Sequence, residues 1–541
     1  MTATQGEPNT SCFADLRERT VLSVLERGAS EHPDREAVSD EARSVTYAEL
    51  LAASRRVAGG LRALGVGAGD TVALMLDNSL DHVLAWFGCS LLNAAEVPLN
   101  TAFMAPQVGY VIGHCEAEVL IIEEHYLDRL RDVAGELPGL KFVVVRGDPA
   151  AADGLPFTAL GFDQLAGGPE TEPARARPQD LLGILYTSGT TGMPKGVMVT
   201  QAQTYGRMWP LGPGAARPGD RTLVVLPIYH VIGQVRGFYN TLIAGGTTVL
   251  RPRFSASGFW DTCREENITY APLVGVMASY LLRQPPRDND RDHRVGHIAL
   301  GTTSPEVEAF KERFGVREVS VSYGLTEAGG VLVGPAEPAG CGYLRPDFEA
   351  RLVDESDAEV APGEVGELVL RPTEPWTTMA GYFKMPEETL SRWRNLWLHT
   401  GDLMTRREDG AYVFVTRRAE RIRVRGENVS PADVETHVAA HPGVAECAVV
   451  GLAAAGAEAG AGEQEILAAV VAADGARVEP GDLLEFLAGR LPGFALPRYV
   501  AVLDALPRTD STRRVQKSVI AALPRESFWD RRAAAGAGRA G

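Results

Sequence analysis

The sequence predicts an α/β protein of more than one domain, on three observations. Segments with helical periodicity alternate with short apolar runs of strand length in the first 150 residues, which is the pattern of stacked α/β layers. At 541 residues the chain exceeds what a single hydrophobic core normally organises. Its 45% hydrophobic and 23% charged residues are the composition of a globular chain.

The elements follow in order. "TYAELLAASRRVAGGLRALGVG" opens with a capping box, Thr46 with Glu49, and carries Leu50, Leu51, Val57, Leu61 and Leu64 at helical spacing before Gly65 and Gly67 stop it. "TVALML" (71–76) reads as a strand, Ser79 to Leu92 as a helix, and "KFVVV" (141–145) as a strand. Residues 147–179 are rich in Pro, Gly and acid, the composition of a surface connection rather than a core element. "AAAGAEAGAGEQE" (453–465) reads as a low-complexity turn, and the tail after Trp529 as disordered. No repeat of fixed period is visible.

The formal charge of -17 argues against nucleic acid or an anionic membrane as partner, while leaving room for a local basic cradle. No apolar run reaches membrane-spanning length, and the N-terminus lacks a basic stretch followed by an apolar core. Cys12, Cys89, Cys115, Cys263, Cys341 and Cys447 show no metal or redox spacing. A cytoplasmic location is the expectation.

"YTSGTTGMPKG" (186–196) lies between "LLGILY" and "VMVT", two strand-like runs, so it reads as a hairpin loop. Gly189, Gly192 and Gly196 allow positive φ and a close backbone approach, Ser188, Thr190 and Thr191 supply hydroxyls, and Lys195 supplies a mobile charge. Together they suit a polyphosphate. The spacing is not that of a Walker A loop, and a flexible connector is the plainer alternative. "VSYGLTEAGG" puts Tyr323, Thr326 and Glu327 after a β-rich run, where a carboxylate suits Mg²⁺ against phosphate and a purely structural turn fits equally. "WLHTGDL" places Asp402 at a turn, as a ribose acceptor or a local cap. His230 in "LPIYHVIGQ" is a ligand contact or a satisfied core residue.

These stretches, with "GEVGEL", "GYF", "RIRVRGENVSPADVE", "HPGVAECAVVG" and "LPRTDSTRRVQK", occur in the order of the adenylate-forming superfamily, which the chain resembles over about residues 13–525. Within it, "RGENVSPADVE" and "HVIGQ" look most like carnitine/crotonobetaine-type and short or aromatic acyl-CoA ligases. The resemblance implies an N-terminal domain of stacked α/β layers over 1–415, a small mobile α+β lid over 416–525, and a disordered tail over 526–541. It implies an ATP- and Mg²⁺-dependent, AMP-forming ligase that makes an acyl-adenylate and transfers the acyl group to CoA. The substrate it suggests is a small aromatic or short polar acid, handled by a monomer or homodimer.

Carried over by position, the resemblance gives Thr187, Ser188, Gly189, Thr190, Thr191, Gly192 and Lys195 to the β/γ-phosphates and Glu327 to Mg²⁺. Thr326 meets the α-phosphate, Tyr323 stacks near adenine, and Gly301, Thr302 and Thr303 edge the adenine and acyl pocket. Asp402 and Arg417 hold the ribose, and His230 gates the thiol path. Two positions depart from the family. Thr416 replaces the usual hinge Asp or Lys, and "PRTDSTRRVQK" sets Arg514 where the family has its catalytic lysine, with Lys517 as the second lysine three residues on. That departure keeps open another acceptor (a carrier protein, an amine, or nitrite activated against an aryl amine) and a non-catalytic nucleotide binder. "APLVGVMASYLL", Arg236 and Tyr239 are the acyl-pocket candidates, with a solvent-facing Arg236 as the alternative.

Overall fold

A computed structural model of the chain describes residues 15–187, 193–207, 210, 212–301, 306–337, 340–418, 422–424, 427–429, 431–453, 464–488, 490–491, 493–509 and 515–533. Ser188, Gly189, Thr190, Thr191, Gly192, Thr302, Thr303 and Arg514 lie outside them. The chain forms two compact units, one from residues up to 350 with 370–398 and 410–412, the other from 351–369, 399–409 and 413 onward.

In the first unit the helix Tyr47–Ala63 begins at the expected reciprocal cap: the Glu49 amide donates to Thr46 Oγ1 and the Thr46 amide to the Glu49 carboxylate. Leu50, Val57 and Leu61 are fully buried, and Gly65 turns the chain away at φ +94°. A Gly59–Gly60 pair inside a helix is costly by propensity. Here it is required, because a Cβ would stand 1.8 Å from the Pro169 carbonyl oxygen at Gly59 and 2.2 Å from that of Leu165 at Gly60.

That contact corrects the reading of 147–179 as a mere surface connection. Thr158–Gly161 is an edge strand parallel to Phe142–Arg146, and Phe162 and Leu165 are buried. A four-residue strand among Pro and Gly leaves too short a pattern to see.

An eight-stranded sheet runs in the order Gly381–Tyr382, Lys195–Thr200, Leu181–Thr187, Ala95–Pro98, Thr71–Met75, Val119–Glu123, Phe142–Arg146, Thr158–Gly161. Its pairings are parallel from Leu181–Thr187 onward and antiparallel at the first two steps. The parallel strands are buried on both faces, which is why "VLIIE" is buried at every position.

A second sheet is parallel through Glu36–Ser39, Thr247–Leu250, Arg221–Val224, Tyr270–Leu273, His297–Leu300 and Glu318–Leu325. It turns antiparallel through Gly329–Pro335 and Gly340–Leu344. Ligands of such sheets bind beyond the carboxyl ends of the strands, where Gly301 and Tyr323 to Glu327 lie.

Trp397–Arg406 pairs between Gly366–Pro372 and Tyr412–Arg417, and the second unit holds the hairpin Ile422–Val424 with Glu427–Val429. It also holds a sheet of Val444–Ala453, Gln464–Ala472, Tyr499–Val502 and Trp529–Asp530. Helices Pro431–Ala439 and Pro480–Ala488 bury Val434, Val438, Leu483 and Leu487 against that sheet. The low-complexity stretch joins two strands of a hairpin, Ala453 facing Gln464, with 454–463 outside the described residues. Trp529 pairs with Val500, beyond residue 525 where the sequence set the end of the lid. Among the described residues no helix is long and apolar enough to cross a membrane. Five cysteines are free thiols, and Cys12 lies outside the described residues.

Candidate active site

Leu181–Thr187 and Lys195–Thr200 form the hairpin that the Gly/Ser/Thr run implied, closing with Thr187 opposite Lys195 and Thr187 Oγ1 donating to the Lys195 carbonyl at 3.4 Å. Gly196 departs from the expectation. It lies within the strand without positive φ, and its glycine is needed because a Cβ would meet Ile184 Cγ2 at 2.7 Å and Tyr186 Cζ at 3.1 Å. Lys195 pairs with Glu388, and its Nζ stands 5.7 Å from the centroid of the Tyr382 ring.

Tyr382 links the hairpin to Glu327. Its two-residue strand, the "GY" of "GYF", pairs alongside Lys195–Thr200 with Tyr382 opposite Val197. The Tyr382 hydroxyl donates to Glu327 Oε1 at 2.6 Å and accepts from Arg392 Nε at 3.1 Å. Burial and the Glu327 charge both push the phenol up, so it remains a neutral donor.

Glu327 lies in the turn after Glu318–Leu325 and is buried. Its carbonyl accepts from the Met379 amide at 2.7 Å and Gln203 Nε2 at 3.0 Å, while the Thr326 carbonyl accepts from Arg207 Nη1 at 2.8 Å. Two backbone carbonyls clamped in succession hold the carboxylate in place.

Arg207 is buried, and Nε and Nη2 of its guanidinium have no hydrogen-bond partner among the described residues. Burial pushes it down to about 9, against the raising effect of Glu327. Burial, helped by the Arg207 charge, pushes His230 down to about 4, so it is neutral at pH 7. His230 Nδ1 accepts from the Ile232 amide at 3.4 Å, which assigns the proton to Nε2. Lys195, Tyr382, Glu327, Arg207 and His230 thus form one continuous electrostatic set.

His230 opens onto the π-helix Ile232–Tyr239, closed by an i→i+5 bond from the Asn240 amide to the Val235 carbonyl. Such helices recur at functional sites. Gly233 allows its entry, since a Cβ there would stand 2.2 Å from the Pro227 carbonyl oxygen. The helix sends Gln234 to the fully buried Glu96 of the first sheet and Arg236 to Ser322 of the second. Arg236 is 3% exposed, which removes the solvent-facing alternative.

Burial pushes Glu96 up to about 8 from an ordinary value of 4.5. The folded chain therefore binds a proton there that the unfolded chain has lost, and stability contributed at this site falls as pH rises from about 4.5 to about 8. Denaturant titrations at pH 5.5 and 8 are expected to show Glu96→Gln losing less stability than the wild type, by an amount on the order of 2 to 4 kcal/mol. Equal losses would refute a buried neutral carboxyl.

Gly301 follows the strand His297–Leu300, its amide donating to the Leu273 carbonyl at 2.9 Å, and Tyr323 is partly exposed near the end of its strand. In the second unit Asp402 is not in a turn. It sits inside Trp397–Arg406 just after Gly401 (φ +74°), a local distortion of the strand that a Gly-Asp pair does not distinguish from a turn in sequence. It is 5% exposed, with Arg417 Nε 3.3 Å from its Oδ1, so the two residues assigned to the ribose are adjacent. Lys517 Nζ is 2.8 Å from Glu435 Oε1.

Sequence reasoning gave no role to Tyr382, Arg207 or Gln203. Only "GYF" carried a signal, as a quoted motif, whereas Arg207 sits in no recognisable pattern.

Residues 25–383 match the family described as AMP-binding enzyme, and residues 433–513 match AMP-binding enzyme C-terminal domain. The chain is 30% identical over 499 residues to a crotonobetaine/carnitine–CoA ligase of Salmonella arizonae, covering 90% of this chain and 94% of the relative. It is similar in structure to the anthranilate CoA ligase AuaEII in complex with anthranoyl-AMP, at 25% identity and TM-score 0.82 over 96% of this chain and 98% of that one. ATP-bound MatB from Rhodopseudomonas palustris follows at 26% and 0.80, over 94% and 98%. O-succinylbenzoate coenzyme A synthetase from Bacillus subtilis with AMP follows at 27% and 0.76, over 93% and 98%. A family match over most of the chain, and relatives matched almost from end to end, make this protein a member of the AMP-binding enzyme family and, within it, an AMP-forming ligase of the adenylate-forming acyl- and aryl-CoA type.

Proposed function

We propose that the chain activates a small aromatic or short polar carboxylic acid with ATP and transfers the acyl group to CoA. The observation that carries this reading is the continuous set from Lys195 through Tyr382 and Glu327 to Arg207 and His230, which spans from a phosphate-type hairpin to the helix of the acyl pocket. A carboxylate is a poor acyl donor until its oxygen can leave. Attack of that oxygen on the α-phosphorus expels pyrophosphate and makes the oxygen part of AMP, which a thiolate then displaces. The protein supplies charge and alignment rather than a nucleophile.

Lys195 and the hairpin amides serve the β/γ-phosphates, and Thr326 the α-phosphate. Asp402 and Arg417 serve the ribose, with Tyr323 and Gly301 beside adenine. Glu327 fits Mg²⁺: no group of three or more potential metal ligands occurs among the described residues, and a lone carboxylate suits an ion that takes most of its other ligands from phosphate and water. Bound there, Mg²⁺ supplies positive charge against the triphosphate. Tyr382 and the clamped carbonyls orient Glu327, and neutral His230 leaves the thiol path free of added charge. Thr416 serves as the hinge, which needs backbone freedom more than a given side chain.

CoA is favoured over other acceptors because the similar ligases named above use it. Screening carboxylic acids for AMP release, with and without CoA, tests the proposal. Acyl-CoA from small acids is the expected product, and turnover of long-chain acids alone, or AMP release with no acyl-CoA, would overturn it.

A further inference from the structure

The two residues given to the ribose, Asp402 and Arg417, each adjoin a residue held by one and the same buried carboxylate. Glu367, on the strand Gly366–Pro372, is 3% exposed. Its Oε1 accepts from the amide of Gly401, the residue before Asp402, at 3.0 Å. Its Oε2 accepts from Nη1 of Arg418, the residue after Arg417, at 2.9 Å. A third donor, His399 Nδ1, stands 3.2 Å from Oε2, which assigns a proton to that nitrogen.

The chain between His399 and Asp402 is tied to the same strand. Thr400 Oγ1 donates to the Leu368 carbonyl at 2.7 Å and accepts from the Asp402 amide at 3.1 Å. Gly401 takes φ +74° inside the strand Trp397–Arg406. A left-handed residue within a strand breaks the alternation of side chains, so the direction of the next side chain depends on what holds the distorted peptide. Glu367 holds it. With Asp402 buried and Arg417 Nε 3.3 Å from its Oδ1, a rotation of the Gly401 peptide changes the spacing of the pair.

Stability alone does not account for such a group. Taking a carboxylate out of water is costly even when it is paired, and an apolar side chain of similar size often serves the fold as well. What the carboxylate adds is direction: two oxygens that fix two separate strands at defined distances. Here those two points are the neighbours of Asp402 and of Arg417.

Resting on the ribose reading above, we infer that Glu367 is a positioning residue for the nucleotide. It sets Asp402 and Arg417 at the spacing that receives the ribose hydroxyls, through the Gly401 amide on one strand and the Arg418 guanidinium on the other. It acts through these residues and not on ATP itself.

The test is calorimetric titration of the full-length chain with ATP and with 2′,3′-dideoxyATP, both in Mg²⁺ buffer, so that no acid substrate is required. The wild type is expected to bind ATP about 30-fold more tightly than the dideoxy nucleotide, since hydrogen bonds to a charged group are the stronger kind and a site built for hydroxyls rejects the analogue that lacks them. Glu367→Ala should weaken ATP by about 10-fold and the dideoxy nucleotide by less than about 2-fold, a loss of discrimination that a merely structural role would not produce. Glu367→Gln keeps an acceptor for the Gly401 amide but not the charge facing Arg418, and should fall between. Arg418→Met removes the other end of that pair at a side chain 39% exposed, and should also lower the ratio. Circular dichroism and melting identify a variant that does not fold, in which case Glu367→Gln and Arg418→Met decide. A ratio that the folded variants leave intact, with both nucleotides weakened in parallel, overturns the inference. A wild type that binds the two nucleotides equally overturns it together with the ribose assignment and leaves the ligase reading standing, whereas binding of neither overturns all three.

Discussion

Lys195→Ala and Glu327→Ala each slow ATP-dependent AMP release by an amount on the order of 2 to 4 kcal/mol of transition-state stabilisation, in pre-steady-state or pyrophosphate-exchange assays. On the proposed reading both groups act where charge moves from the attacking carboxylate onto pyrophosphate, and such preorganised charges are worth most in a site that excludes water. The two variants differ in their cost to the fold. Lys195 is 30% exposed and pairs with a half-exposed Glu388, so its removal is nearly neutral to stability. Glu327 is buried beside Arg207, and its charge is what raises that guanidinium. Alanine there leaves Arg207 uncompensated, so a fall in melting temperature accompanies the loss of activity. Glu327→Gln lowers activity in the same direction and keeps the size of the side chain. Unchanged turnover in either alanine variant would mean that the cradle or the metal carboxylate is misplaced.

Arg514→Ala slows adenylate formation by an expected 10- to 1000-fold, a range on the order of 1.4 to 4 kcal/mol, and leaves thiolysis of a supplied acyl-adenylate largely intact. Only the first half-reaction needs a cation beside the α-phosphate. Arg514 lies outside the described residues, and its assignment rests on the alignment of "VQK" with the family segment. Lys517, the competing cation, stands 2.8 Å from Glu435 Oε1 at the start of the helix Lys517–Ala521. Arg514→Lys therefore retains or raises the first rate, because a flexible ammonium suits a geometry built for lysine. A first half-reaction that fails in Lys517→Ala and survives in Arg514→Ala would shift the assignment to Lys517.

What was legible in the sequence was whatever is written locally. The cap at Thr46 and Glu49, the strand at 71–75 and the hairpin at 181–200 each depend on residues within one turn or one strand, and each forms within a residue or two of its expected place. At the site, Lys195, Thr326 and Glu327 were named from their motifs, and the structure links Lys195 to Glu327 through Tyr382. Arg207 was not legible, because its importance comes from a turn that brings it to the Thr326 carbonyl across 119 positions of sequence. Asp402 was misplaced because a Gly-Asp pair marks a distorted strand as readily as a turn. Gly196 was explained by the wrong mechanism. Its neighbours across the hairpin, not its φ, exclude a side chain.

The π-helix after His230 has a consequence for how this pocket can diversify. A π turn holds more residues than an α turn, so removing one residue between Ile232 and Tyr239 would restore i→i+4 bonding beyond the cut and rotate all that follows by about 100°. Gln234 and Arg236 would then leave Glu96 and Ser322 while His230 stayed in place. On the proposed reading, in which this helix lines the acyl pocket, chain length in this one segment is therefore a way to move Gln234 and Arg236 together while His230 is left in place.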